Sequence, residues 1–378
     1  MKLRIFSLLL AAPLCLWADA PVSSAVDQKA TVLESQLNKS LDTSPAAAKV
    51  MLELVDLYYK EGRVFGLVRV GERFVKSQSS HGRHREVMLK LIDGLEAMAR
   101  RDDLITIGRQ YLTRYPNSGE ALDVALRVSD ALERNGKRTE AADVLRLLWE
   151  HKPGAATRRA AERASELYGQ DGNHRIRIKS AQLCESLLDR LPGNEFTLRA
   201  GLRAVNEYRY VSRWVEANVV ISKMLKKGGL PLTRVVRREL HRLQAENYIS
   251  QSQWANAVNA LKAARGQGDS WELHQRQIYA LYNSAAKAAQ INAEITQFSN
   301  RYPSERARWV NYQYLGNAYA REGDPLKAAR AIVPALPHAA GDGSMATYYV
   351  SWLMSKAISQ LGSATATRGQ TEKALETA

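Results

Sequence analysis

Apolar residues along the chain recur at the spacing of helices, not at the alternation of strands. Val50, Leu54, Leu57 and Tyr58 fall on one face of a helix predicted from Ala46 to Lys60. Glu61-Gly62 ends that helix, and a second is predicted to run to Lys76. The clearest statement of the pattern is Tyr312 to Ala335, YQYLGNAYAREGDPLKAARAIVPA. It reads as two short amphipathic helices joined by a turn at Gly323-Asp324. Much of the remaining chain repeats this unit more weakly.

Prolines keep the period. Pro116, Pro153, Pro192, Pro231, Pro303 and Pro337 are 37, 39, 39, 72 and 34 residues apart, and the 72-residue gap is two steps of 36. Proline lacks an N–H and clashes with the preceding turn, so a regular proline marks a regular helix end. Pro325 and Pro334 lie outside the series, and Pro45 is placed to start a helix. Within the predicted second helices a small residue precedes a large aliphatic one by one turn: Ala141 and Leu145, Ala217 and Ile221, Ala257 and Leu261, Ala328 and Ile332. The small side chain lets two helices approach and the large one fills the space beside it. The predicted first helices end on Tyr58, Leu95, Leu132, Tyr208, Tyr248, Tyr282 and Tyr319, which are expected in the core.

These features resemble the tetratricopeptide repeat, a helix–turn–helix of about 34 residues with a W-x2-L-G-x2-Y, A-x3-F, P pattern. Residues 309–340 match best, with Tyr312 in place of Trp and Ile332 in place of Phe. Residues 120–153 come next, 198–231 and 239–268 are recognisable, and 87–118 and 272–305 are degenerate. The unit at 155–192 carries extra residues around Gln170 to Ile178. Most steps exceed 34 residues, so a related irregular α-solenoid is the alternative. The resemblance implies an all-α, right-handed solenoid of about eight hairpins over residues 46–340, each burying its apolar stripe against its neighbours. It also implies a non-enzymatic scaffold whose first helices line a concave surface that binds protein or peptide. Arg199, Asn206, Arg209, Arg242, Gln313 and Asn317 are the contact residues so implied.

The flanks read differently. Lys2 and Arg4, the mostly apolar Ile5 to Leu16, and Ala18-Asp19-Ala20 have the layout of a bacterial signal peptide over residues 1–20, cleaved after Ala18 or Ala20. A retained anchor and a lipoprotein at Cys15 are the weaker alternatives; the apolar run is short, and Leu14 stands where a small residue belongs. A mature chain is then expected in the periplasm or outside the cell, with no transmembrane segment. Residues 21–45 read as a linker or a loose first helix. Residues 341–378 read as a capping helix, MATYYVSWLMSKAISQLG, and a tail after the turn Gly341-Asp342-Gly343.

Charge is the uneven feature. Cleavage after Ala18 removes Lys2 and Arg4 and lowers the formal +15 to +13. Between Lys152 and Arg242 there are nineteen Lys and Arg against nine Asp and Glu, an excess of ten. Arg199 and Arg203 are one helical turn apart. Arg234, Arg237, Arg238 and Arg242 share a helical side with His241, and Lys223, Lys226 and Lys227 precede Gly228-Gly229. Such a surface attracts an acidic protein segment, an anionic polysaccharide or a lipid headgroup surface, or serves solubility alone. The export signal argues against nucleic acid.

Catalytic patterns are missing from the sequence: it has no phosphate-cradling Gly-rich loop, His-Glu-x-x-His, paired-Cys spacing or nucleophile elbow. No cofactor or metal is expected. His81 and His84 could ligate a metal at i, i+3, but a solvated basic loop from Ser77 to Arg85 is the preferred reading. Cys184, the one cysteine left after cleavage, reads as a buried, inert thiol.

Overall fold

A computed structural model of the chain describes residues 24–303 and 309–333. The expected signal peptide, the expected capping helix, the tail, Pro334 and Pro337 lie outside these residues. The described residues form seventeen α-helices and no strand. The chain divides into two compact units, Met1–Pro153 and Gly154–Ala378.

The first unit opens with α1 (Ser24–Asn38), followed by the hairpins α2 (Pro45–Lys60) with α3 (Val64–Ser77), α4 (His84–Ala97) with α5 (Arg101–Arg114), and α6 (Ala121–Arg134) with α7 (Arg138–His151). Where the sequence allows a linker, α1 buries Ala30, Leu33 and Leu37, and Glu34 accepts a hydrogen bond from Tyr58 of α2. Burial and that bond raise the Tyr58 hydroxyl to about 12. Pro45 begins α2 behind the cap residue Ser44, whose hydroxyl accepts from the Ala47 amide at 3.1 Å.

In the second unit the hairpins are α8 (Arg158–Gly169) with α9 (His174–Arg190), α10 (Glu195–Tyr210) with α11 (Trp214–Lys226), α12 (Arg234–Ser250) with α13 (Trp254–Gln267), α14 (Trp271–Asn283) with α15 (Ala288–Arg301), and α16 (Trp309–Arg321) with α17 (Pro325–Ile332). Pro116, Pro153, Pro192, Pro231 and Pro303 each follow the second helix of a hairpin. Pro325 falls outside the rhythm because it starts a helix: Asp324 caps α17 by accepting from the Lys327 amide at 2.9 Å. The extra residues of the fourth hairpin make a short turn at 170–173, and α9 is lengthened to 17 residues. Asn173 caps it, accepting from the Arg175 amide at 2.9 Å.

Packing within each unit is that of an all-α solenoid, each helix lying against the next. One core cluster joins Cys184 and Leu188 of α9, Val205 and Tyr208 of α10, Ile221 and Met224 of α11, and Leu240 and Leu243 of α12. Another joins Ile278 of α14, Ile291, Ile295 and Phe298 of α15, and Leu315 and Ala318 of α16. In these clusters neighbouring hairpins share one core. The Ala and large-aliphatic pairs of the second helices are all buried. At Gly316 a Cβ would lie 2.7 Å from the Ile332 side chain, so the glycine of the L-G-x2-Y pattern admits the aliphatic residue opposite it. Tyr58, Leu95, Leu132 and Tyr208 are buried as expected, whereas Tyr248, Tyr282 and Tyr319 are only half-buried.

The expected solvated loop at 77–85 is shorter. Ser77 closes α3, and His84 opens α4 with only 3% of its surface exposed. Its ring spans two hairpin elements: Nδ1 accepts from the Tyr115 hydroxyl at 3.1 Å and Nε2 donates to the Val75 carbonyl at 3.3 Å. Burial holds this imidazole below the ordinary histidine range. Its contribution is therefore full above the unfolded value near pH 6.5 and is lost as pH falls through the depressed folded value. Glu86, held down to about 2 by Arg83 and Lys90, acts in a separate, more acidic window. Urea midpoints should thus fall between pH 7.5 and 5, and His84→Phe should make that segment shallower, the buried His241 contributing the remainder, while leaving the fall below pH 4.5 in place. An unchanged profile would assign the loss to other groups.

Candidate functional site

The first helices of successive hairpins are tied to each other by side chains about one repeat apart. In the first unit Asp93 of α4 accepts from Tyr59 of α2 at 2.9 Å and from Arg127 of α6 at 2.6 Å. In the second unit Glu246 of α12 is the hub. It receives Arg209 of α10 at 2.8 Å, Arg276 of α14 at 3.0 Å, and Arg242 from its own helix. Arg242 also grips Glu239, its Nε lying 2.8 Å from the carboxylate. That contact pulls Glu239 below the carboxylate range and lifts Arg242. From α14 onward the row turns aromatic: Tyr282 of α14 stacks on Tyr314 of α16 with ring centroids 4.8 Å apart, and Tyr279 lies edge-on to Trp254 of the second helix α13.

Against this frame the residues singled out in the sequence separate. Arg209 and Arg242 are half-buried and already engaged. Arg203 lies 3.3 Å from the Ser165 hydroxyl and 3.8 Å from Glu166 of α8, and exposed Arg199 pairs with Glu195 at 3.1 Å. Asn206 is exposed on α10, while Gln313 and Asn317 sit one turn apart on α16, half-buried. Lys223 leaves the predicted lysine cluster to bond Glu185 and Asp189, both at 2.7 Å.

Arg234, Arg237 and Arg238 behave otherwise. They occupy the first turns of α12, which has no acidic residue in its first turn, and among the described residues they have no carboxylate partner. His241 follows them, half-buried, its imidazole pushed below its ordinary range by burial. Arg234 in the first turn opposes the helix dipole, and the three side chains together concentrate positive charge on one end of α12.

Beside this turn lies a groove of about 780 Å³ between α13 and α15. Its floor is a closed charge network that sequence reading missed. His274 is fully buried with Nδ1 facing Glu294 and Nε2 facing Asp269, the latter at 3.1 Å. Arg265 bonds both carboxylates, Gln277 donates to Glu294 at 2.8 Å, and Arg301 reaches Asp269 at 3.1 Å. Burial raises Asp269, but the bonds from His274 and Arg265 outweigh it and leave the acid below its usual range. The partners lie up to 32 residues apart, and no local motif announces them.

Cys184 is buried beneath α10, and burial pushes its thiol up to about 11, which keeps it protonated and unreactive at neutral pH. Among the described residues no cluster of three or more His, Cys, Asp or Glu is placed to hold a metal ion, and no helix is long and apolar enough to cross a membrane.

No family model matches the chain. No curated protein does either. Solved structures do, at low identity. The Naa15/Naa10 structure bound to HypK-THB is 14% identical, with 93% of this chain and 56% of that one covered and a TM-score of 0.34. The Cut9–Hcn1 hetero-tetramer of the APC/C is 13% identical, with 87% and 59% covered and a TM-score of 0.29. A tetratricopeptide repeat protein from Parabacteroides merdae is 13% identical, with 78% and 98% covered and a TM-score of 0.28. The chain spans less than two thirds of the first two. The likeness to tetratricopeptide-repeat structures is one of helical architecture.

Proposed function

We propose that this chain is a non-enzymatic scaffold of the bacterial cell envelope, periplasmic or secreted, that holds a protein or peptide partner of acidic character. One observation carries the reading. Arg199, Arg203, Arg209, Arg213 and Arg242 each form an ion pair with a carboxylate, whereas Arg234, Arg237 and Arg238 form none among the described residues, Arg238 acting on Glu239 only at longer range. Three such cations close together on one helix repel each other, Arg234 also opposes the helix dipole, and an acidic partner relieves the cost. The row of first helices supplies a second surface, in which exposed Asn206 and half-buried Gln313 and Asn317 offer amides to a polypeptide.

The second reading is an anionic polymer, an exopolysaccharide or cell-wall component, held by the same excess of positive charge. Salt separates the two: polymer capture should collapse at moderate ionic strength, and an acidic peptide seated also by apolar contacts should persist. Changing Arg234, Arg237 and Arg238 together to Glu should weaken capture of an acidic partner at least about tenfold at low salt, with the difference shrinking as salt rises. Pull-down from periplasm with wild type and the triple variant measures it, and equal recovery of the same partner would remove the idea.

A further inference from the structure

The groove between α13 and α15 is lined by four cations, Arg234, Lys262, Arg265 and Arg301, and by two carboxylates, Asp269 and Glu294. Both carboxylates are consumed in the floor, where Arg265, His274, Gln277 and Arg301 take their oxygens. Two positive charges are thus left over. Lys262 is exposed on α13 and Arg234 on α12, and neither has a carboxylate partner among the described residues. Arg301 uses its Nε on Asp269 and is 63% exposed, so its outer edge also faces solvent.

Between these cations stand side-chain amides. Gln290 and Gln297 are exposed on α15, one wall of the groove. An amide donates and accepts, which matches the N–H and C=O groups of a polypeptide backbone. None of the lining residues is aromatic, so the groove offers no ring face on which a sugar could stack. The chemistry suits carboxylates on a backbone better than uronic acids in a glycan.

We infer that this groove seats an extended polypeptide segment bearing two acidic side chains, with Lys262 and Arg234 taking the carboxylates and Gln290 and Gln297 the backbone. In an extended chain, alternate side chains point the same way, so acids at i and i+2 present together. The inference rests on the acidic-partner reading above and gives it a location between the second helices α13 and α15, reached also by Arg234 of α12 and Gln277 of α14.

The test uses the full chain and fluorescein-labelled hexaglutamate, read by fluorescence anisotropy, with unlabelled oligogalacturonate as competitor. Lys262→Glu combined with Gln290→Glu alters only exposed positions outside the floor network, and circular dichroism checks that the helices are kept. Hexaglutamate affinity should drop about tenfold in that variant, as expected for reversing one surface charge and adding another. Oligogalacturonate should compete poorly. If the Arg234, Arg237 and Arg238 variant weakens binding and the groove variant does not, the groove is overturned and the acidic-partner reading stands. If neither variant changes binding, or the wild type does not bind hexaglutamate, both fall. Displacement of the probe by oligogalacturonate at comparable concentration, with the same sensitivity to Lys262, would overturn the polypeptide as occupant.

Discussion

Replacing Phe298 with alanine should destabilise the second unit by about 3–5 kcal/mol, the range for removing a fully buried aromatic ring. Phe298 is fully buried, and its cluster takes side chains from three helices of two hairpins: Ile278 of α14, Ile291 and Ile295 of α15, and Leu315 and Ala318 of α16. His274 and Tyr302 also lie near its ring, with centroids 6.0 and 6.1 Å away. The surrounding helices cannot close the void cheaply, because His274 is pinned by Asp269 and Glu294. Hydrogen exchange should show α14, α15 and α16 losing protection together. Loss confined to α15 would mean that the hairpins are independently stable and that their shared core is energetically empty.

Glu246→Ala should cost about 2–3 kcal/mol, since it leaves three guanidinium groups converging on a vacated, partly buried carboxylate position. The Glu246 side chain is 17% exposed, and Arg209, Arg242 and Arg276 are 25, 32 and 44% exposed. Solvent reaches the arginines, which holds the cost below that of a fully buried charge. Their mutual repulsion should be screened, so 0.5 M salt should recover part of the loss. Replacing Glu246 by Leu together with Arg209 by Met should cost less than Glu246→Ala alone, because a charge is removed with its partner. Urea denaturation of the wild type and the two variants at two salt concentrations measures these differences. A change below about 0.5 kcal/mol for Glu246→Ala would reduce the hub to ordinary surface pairs.

Much of the hairpin architecture was legible because it is written in local terms. Proline after a second helix, Ala four residues before a large aliphatic, and Gly in the Leu-Gly-x2-Tyr pattern each act within one helix or across one turn. Turns were read less well. Gly62, Gly136 and Gly323 take the left-handed backbone that glycine allows freely, at φ of 67, 76 and 79°. At the same place in four other hairpins stand Ala99, Ser212, Ser252 and Ala285, at φ of 54 to 59°. Alanine and serine are not turn signals for such a conformation, so the pattern could not mark them. The packing on both sides imposes the turn and carries the strain.

Side-chain partners were less legible still. Arg209 and Glu246 are 37 residues apart, one repeat, and a reading that compared equivalent positions in neighbouring hairpins could have paired them. His84 shows the limit differently. A polar, basic run between two helices looks solvated, yet its histidine lies under Tyr115, 31 residues on.

By itself the sequence determined that this chain forms paired helices that must stack, because helical periodicity, proline and the small–large alternation act over a few residues. Tertiary structure alone decided which arginines are spent and which remain. That outcome depends on carboxylates about a repeat away, as Glu246 and Asp269 show, and on the burial that fixes whether such a pair closes.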